Sequence, residues 1–501
     1  MNSHNDPSKF NSTDIREVLI IGAGLGGLCA AVKLIESGKQ DIAVIEAAET
    51  VGGVWRINRY PNVACDTPID VYAYSFYPGN KWSTNFAPGH EILAYLQEVA
   101  DRFGVTPKIS FNTRIASAIW DEDAALWRVT STDGRVWLGR HLIWAGGMFS
   151  TPSLPVVKGL DSFTGLSLHS TEWHDGIDLK GKRVAVVGGG ATAIQIVPHV
   201  QQHADHLVAF VRTPSYVMPR PDIFFPPAER GTAEFAAQQR ARRIEWFNRF
   251  EMIAKSRFPM NSEAIAGQEA VWKTHFDAQV KDPHARAVLT PSYRFGCKRP
   301  LFSSAYYPAI TADNVTLLGR GVSHLDGDSV VDVAGERHRV DVVVWATGFQ
   351  LDNMLAGLTI RGRDGLDLES EWRALPRAYF GSMVAGFPNF YIMIGPNAGG
   401  ASVGDVAEAQ VAFIQRSIEE AEARGTPVVE VAPEAFEAFN ADIQRRSNDS
   451  VMVKGNCVSY YRKDGDGAVF THWPDTIEVF QQRIATEGPA GLVFRAPQTA
   501  R

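Results

Sequence analysis

The chain has 501 residues, 45% of them hydrophobic and 21% charged, with a formal net charge of −7. A single hydrophobic core stops growing at roughly 250 to 300 residues, so the length predicts at least two domains. The acidic balance offers no basic footprint for nucleic acid or an anionic membrane surface, and both are set aside as partners.

The first residues, MNSHNDPSKFNST, are polar and lack the apolar stretch of a signal peptide; they read as a short disordered leader on a cytoplasmic protein. The longest apolar run, residues 18–32, is interrupted by glycines and falls short of the roughly 20 apolar residues of a membrane span. From Glu17 an apolar strand leads into Gly22, Gly24 and Gly27, then a helix of alanine and leucine, then a second strand ending at Glu46. This is a βαβ unit. Its GxGxxG turn lets backbone N–H groups approach a pyrophosphate at the helix N-terminus, and a carboxylate at Glu46 can accept both ribose hydroxyls. The bland alternative is a set of structural glycines. The next segment, Gly52, Gly53, Val54 and Trp55 through Tyr60 and Pro61 to Asp66, is suited to covering a planar ring system; a tryptophan such as Trp55 is by itself more often core than cofactor contact, and its context favours the contact.

The same grammar returns at Lys182, with Gly188, Gly190 and Ala193 forming GxGxxA. Glu46 and Arg212 each stand 24 residues after the first glycine of their unit. A carboxylate at that place repels a ribose 2′-phosphate, whereas a guanidinium holds it, so the second unit is expected to prefer NADPH. Ala191, Thr192, Thr213 and Lys298 are further expected contacts of this cofactor. A charged helical stretch over about residues 221–294 reads as an insert in the second domain, and a strand-rich segment follows over residues 314–347. The predicted fold class is α/β, with two Rossmann-type domains. Residues 1–150 and 350–501 form the FAD-binding one, and residues 151–349 the NADPH-binding one. Cys29, Cys65, Cys297 and Cys457 are scattered, with no CxxC pair and no metal-ligand spacing. No metal is expected, and flavoprotein reductases that need a redox-active cysteine pair lose support.

The segment between the two units carries Phe163, Gly165, His169 and Trp173 in the order FxGxxxHxxxW. It resembles the signature of Baeyer-Villiger monooxygenases, with His174 where that family has proline or aspartate. A second family motif falls on Gly52, Gly53, Trp55, Tyr60, Pro61 and Asp66, with Asn62 replacing glycine or methionine; asparagine tolerates the left-handed backbone such a turn needs. The runs GCKRP from Gly296, WATGF from Trp345, GFPNFYIMIGP from Gly386 and NCVSYYRKDG from Asn456 are similar to the family as well. Gly146 and Tyr460 depart from it, where threonine and tryptophan are usual.

The resemblance implies that NADPH reduces FAD. The reduced flavin then adds O2 at C4a, and the peroxyflavin inserts one oxygen atom into a ketone to give an ester or lactone. It implies that Arg299 is a fixed cation beside the flavin and that Asp66 orients it, although a structural ion pair between domains is the competing reading. Tyr72 joins the expected FAD contacts. His169 and Trp173 are implied to couple cofactor binding to domain motion rather than to move protons. An N- or S-oxygenating enzyme of the same fold and, lower, an NADPH oxidase or dinucleotide-binding redox sensor remain open alternatives.

Overall fold

The computed structural model describes residues 15–355, 357–400 and 402–496, so the expected leader lies outside the described residues. Ile15–Ile21 pairs in parallel with both Ile42–Ile45 and Val136–Trp144 at the centre of an eight-stranded sheet. Val18, Leu19 and Ile20 are wholly buried, because both faces of a parallel sheet are covered and the strand is then apolar throughout instead of alternating. Each such side chain contributes about 1.5–3 kcal/mol by leaving water. Beyond Val136–Trp144 the sheet turns antiparallel through Leu126–Ser131 and Ile115–Asp121.

Two late strands return to this sheet. Phe390–Ile392 runs parallel to Val136–Trp144, and Thr359–Arg361 parallel to Ile115–Asp121. The helices Leu25–Glu36 and Val403–Arg424 share its hydrophobic core.

A second sheet has five strands, all parallel, in the order Val315–Leu318, His206–Phe210, Arg183–Val187, Val342–Trp345, Leu166–His169. Helix Ala191–His203 connects two of them and buries Ala193, Ile196, Val197 and Val200. The chain passes between the sheets twice, and the two passages are bonded to one another. The Ser153 N–H donates to Gly348 O at 2.8 Å and the Gln350 N–H to Thr151 O at 2.9 Å. Thr347 Oγ1 donates to Ser153 O at 2.6 Å.

The expected helical stretch consists of Ala233–Arg257, Ser262–Gln279 and Pro283–Leu289. Thr232, Asn261 and Asp282 cap their N-termini by accepting backbone N–H groups, each cap being worth about 1 kcal/mol. The middle helix sends Ile265, Trp272 and Phe276 into the core of the second sheet. The first helix differs from the expectation of an insert confined to the second unit. Its Phe235 joins the core of the first sheet, Arg242 grips buried Asp70 through two bonds of 3.1 and 3.2 Å, and Arg243 meets Asp405 at 2.5 Å. The charged helix expected within the second unit is a strut to the first, and its partners lie far away in sequence. Among the described residues no helix is long and apolar enough to cross a membrane.

Candidate active site

The first glycine turn is closed by contacts that no side chain could enter. A Cβ on Gly27 would lie 1.9 Å from Gly22 O, and one on Gly22, at φ +101°, would lie 2.5 Å from Ala145 O. A Cβ on Gly53 would come within 3.1 Å of Gly24 Cα, so the two glycine segments lie backbone against backbone. No side chain caps helix Leu25–Glu36, and its first turn holds no acid. Its free N–H groups therefore suit a pyrophosphate. Glu46 is buried, and its oxygens accept the Ala23 and Ala48 N–H groups at 2.7 and 2.8 Å. Each oxygen keeps a lone pair for a ribose diol. Val54 opens a helical turn on which Trp55 stands, and Trp55 Nε1 donates to Tyr72 Oη at 2.8 Å with the rings edge to face. The donor set and the open cradle fit a flavin dinucleotide.

The second turn repeats the device. A Cβ on Gly188 would strike Ala346 O at 2.4 Å, whereas one on Gly190 would meet nothing. Helix Ala191–His203 has no side-chain cap, and Ala191 and Thr192 lie at its open end. Arg212 projects into solvent past His206–Phe210, with Thr213 beside it. Burial and then the charge of Arg212 push the Lys298 amine below its ordinary pKa. Lys298 Nζ lies 5.4 Å from the centre of the Tyr293 ring. Two cations close enough for one to depress the pKa of the other are suited to share a phosphate. This group of residues fits the 2′-phosphate of NADPH.

Between the two cradles Arg299 reaches across to Asp66. Nε donates to Oδ2 at 2.7 Å and Nη2 to Oδ1 at 2.5 Å, and Thr67 Oγ1 lies 3.5 Å from Nη2. The Asp66 carboxylate raises the guanidinium pKa far above its already high value, so Arg299 stays charged. Its side chain remains 40% accessible and can meet a ligand. Nearby, Arg257 donates from Nη2 to Gly296 O at 3.0 Å and fixes the start of the GCKRP run. His472 is held well below its usual pKa, first by burial and then by the charges of Arg257 and Arg299, and so stays neutral.

The profile of flavin-binding monooxygenase-like proteins matches residues 15–227. A Baeyer-Villiger monooxygenase of Streptomyces coelicolor is 37% identical over 470 residues, which is 93% of this chain and 90% of the relative. One from Pseudomonas aeruginosa is 35% identical over 461 residues, 91% and 87% of the two chains. The chain belongs to the Baeyer-Villiger monooxygenase family. It is an FAD-dependent NADPH monooxygenase. Oxidized steroid monooxygenase bound to NADP has a similar structure, with a TM-score of 0.85 at 30% identity over 96% of this chain and all 100% of that one. The closed structure of cyclohexanone monooxygenase gives 0.86 at 27% identity over 97% and 100%.

In this Baeyer-Villiger monooxygenase the linker-signature residues sit in different surroundings. Gly165 is required because a Cβ there would lie 2.4 Å from Asp341 O and 2.8 Å from the Phe163 ring. His169 is buried; its Nδ1 accepts the Thr171 N–H at 3.3 Å, and its Nε2 faces Gly348 O at 3.2 Å. Both ring nitrogens are engaged, burial lowers the pKa, and the Nε2 contact ties the end of strand Leu166–His169 to the second passage at Gly348. Trp173 is buried and lies edge-on to His199. A cleft of about 620 Å³ opens there, lined by Arg59, Pro61, Trp173, His174, His199 and His203. His174 thus faces solvent space instead of a packed turn. Asn62 adopts the left-handed backbone expected of it, at φ 62°.

Sequence reasoning missed Gln195, which accepts from Tyr60 Oη at 3.1 Å and donates to Ala64 O at 3.0 Å, docking the flavin-side motif on the second helix. A polar residue inside the apolar run AIQIV was the available signal. It missed a pairing as well. Scattered in the chain, Cys297 and Cys457 form a disulfide across a sequence separation of 160, because the GCKRP and NCVSYY runs meet in the fold. Cys29 and Cys65 are buried free thiols.

Proposed function

We propose that this chain uses FAD, NADPH and O2 to insert one oxygen atom into a ketone, yielding an ester or lactone, with Arg299 as the cation at the reacting centre. The Arg299–Asp66 pair is the observation that carries the reading: a permanently charged, partly accessible guanidinium held bidentately at the seam between two dinucleotide cradles. FAD, when bound, accepts hydride from NADPH and activates O2. Arg299 stabilises the negative charge that develops as a ketone carbonyl is attacked, and Asp66 holds it in place without taking its proton. Arg212 and Lys298 hold the 2′-phosphate, with Thr213 beside them. Gly22, Gly24, Gly27, Gly53, Gly188 and Gly190 admit the pyrophosphates, and Glu46 the ribose.

Sheet membership supports a division into residues 1–150 with 350–501 for FAD and 151–349 for NADPH. The proposed location is the cytoplasm, where NADPH is supplied. Incubation with NADPH, ¹⁸O2 and a mixed panel of ketones, sulfides and amines tests the reading. One labelled oxygen in an ester is the expected outcome; oxidation of sulfides or amines with every ketone untouched would overturn it in favour of heteroatom oxygenation.

A further inference from the structure

The loop that presents Lys298 and Arg299 is stapled to a second loop by the Cys297–Cys457 disulfide. The two loops fit closely: the Arg294 N–H donates to Gly455 O at 2.9 Å, and a Cβ on Gly455 would press on Cys297 Sγ at 3.0 Å. Neither loop is stiffened by a sheet where they meet; residues 290–300 and 455–461 carry no helix or strand. The sulfurs differ in access. Cys297 is wholly buried, whereas Cys457 is partly exposed and precedes Val458, which is 67% exposed. Arg299 is two residues from one sulfur. Tyr460, three residues from the other, stands beside Arg299 with Tyr461. A bond at this place joins the cation of the reacting centre to the aromatic residues that flank it, and in a reducing compartment such pairs serve redox sensing more than architecture.

We infer that Cys297 and Cys457 are a thiol–disulfide site whose oxidised form holds Arg299 in its working position and whose reduction by a thiol uncouples NADPH consumption from oxygen insertion. This rests on the assignment of Arg299 to the reacting centre. Two thiols supply two electrons and two protons. The first, as thiolate, attacks Cys457 Sγ; the Sγ–Sγ bond breaks and the Cys297 thiolate leaves and is protonated. The second attacks the external sulfur of the mixed disulfide, giving an external disulfide and the Cys457 thiol.

The test uses the holoenzyme, oxidised with glutathione disulfide or reduced with dithiothreitol that is then removed. Denaturation and alkylation should label Cys29 and Cys65 alone in the oxidised sample and all four cysteines in the reduced one. Product per NADPH should fall about tenfold or more on reduction, the scale of a small misplacement of a catalytic group, and return on reoxidation. Cys457→Ser should show the reduced behaviour and no response to thiol. Four labelled cysteines in the oxidised sample, or unchanged coupling in a sample shown to have gained two thiols, would overturn the inference. Arg299→Ala run alongside separates the two claims. If it keeps full ester formation while the wild type still responds to thiol, the reading of Arg299 fails and takes with it the claim that the disulfide acts by holding Arg299, leaving only a thiol-responsive pair; if it loses ester formation while the wild type ignores thiol, the redox inference alone fails.

Discussion

Replacing Arg299 by alanine removes a guanidinium bonded to Asp66 at 2.7 and 2.5 Å. A unit charge about 4 Å from a developing anion is worth about 4 kcal/mol at an effective dielectric of about 20. The Asp66 carboxylate behind the guanidinium and the 40% accessibility of its side chain weaken that field, and halving it leaves about 2 kcal/mol, or about thirtyfold in rate. The loss is confined to oxygen insertion, because the cradles for both dinucleotides are built from other residues. Stopped-flow measurement of flavin reduction by NADPH should therefore stay close to wild type while ester formed per NADPH collapses and hydrogen peroxide takes the electrons. Arg299→Lys should fall between, since an ammonium keeps the charge but not the two-bond geometry. If Arg299→Ala formed ester within about threefold of wild type, the electrostatic role would be refuted and the pair would be a structural tie.

Arg212→Ala and Lys298→Ala should each raise the KM for NADPH about tenfold to a hundredfold, the value of a charge-assisted bond to phosphate, and leave the KM for NADH nearly unchanged. Gly27→Ala brings a Cβ to 1.9 Å from Gly22 O and should yield protein without visible flavin absorbance, while thermal unfolding still reports a folded second unit. Burial holds the His141 pKa down to about 3, so its neutral form belongs to the fold. Its contribution is complete above about pH 6.5 and is lost as pH falls from there toward 3, when the unfolded chain takes up the proton, at about 1.4 kcal/mol per pH unit. His141→Phe should accordingly gain about 3 kcal/mol on wild type between pH 7 and pH 4 in denaturant titrations; a constant difference would sink this assignment.

The elements nearest to one another in the chain were legible in it. Both βαβ units, their glycine turns and the contrast of Glu46 with Arg212 follow from local spacing, because a strand, a turn and a helix in sequence fix where the next strand ends. The Arg299–Asp66 pair was reached only through family resemblance, since 233 positions separate its members. Arg242 with Asp70 and Cys297 with Cys457 escaped altogether, at separations of 172 and 160. A charged helix reads only as an insert, and scattered cysteines only as unpaired in the sequence, until the fold supplies their partners.

The bonded passages at residues 150–153 and 347–350 have a mechanical meaning. Two strands of backbone tied by Ser153, Gly348, Thr151 and Gln350 resist shear and stretch far more than they resist twisting. A rotation of one unit against the other about that line would strain these bonds least, and its travel would grow with distance from the line. Arg299–Asp66 and Arg242–Asp70 are among the contacts across the seam, with Arg243–Asp405 and the Gln195 bonds to Tyr60 and Ala64, that such a rotation would have to break.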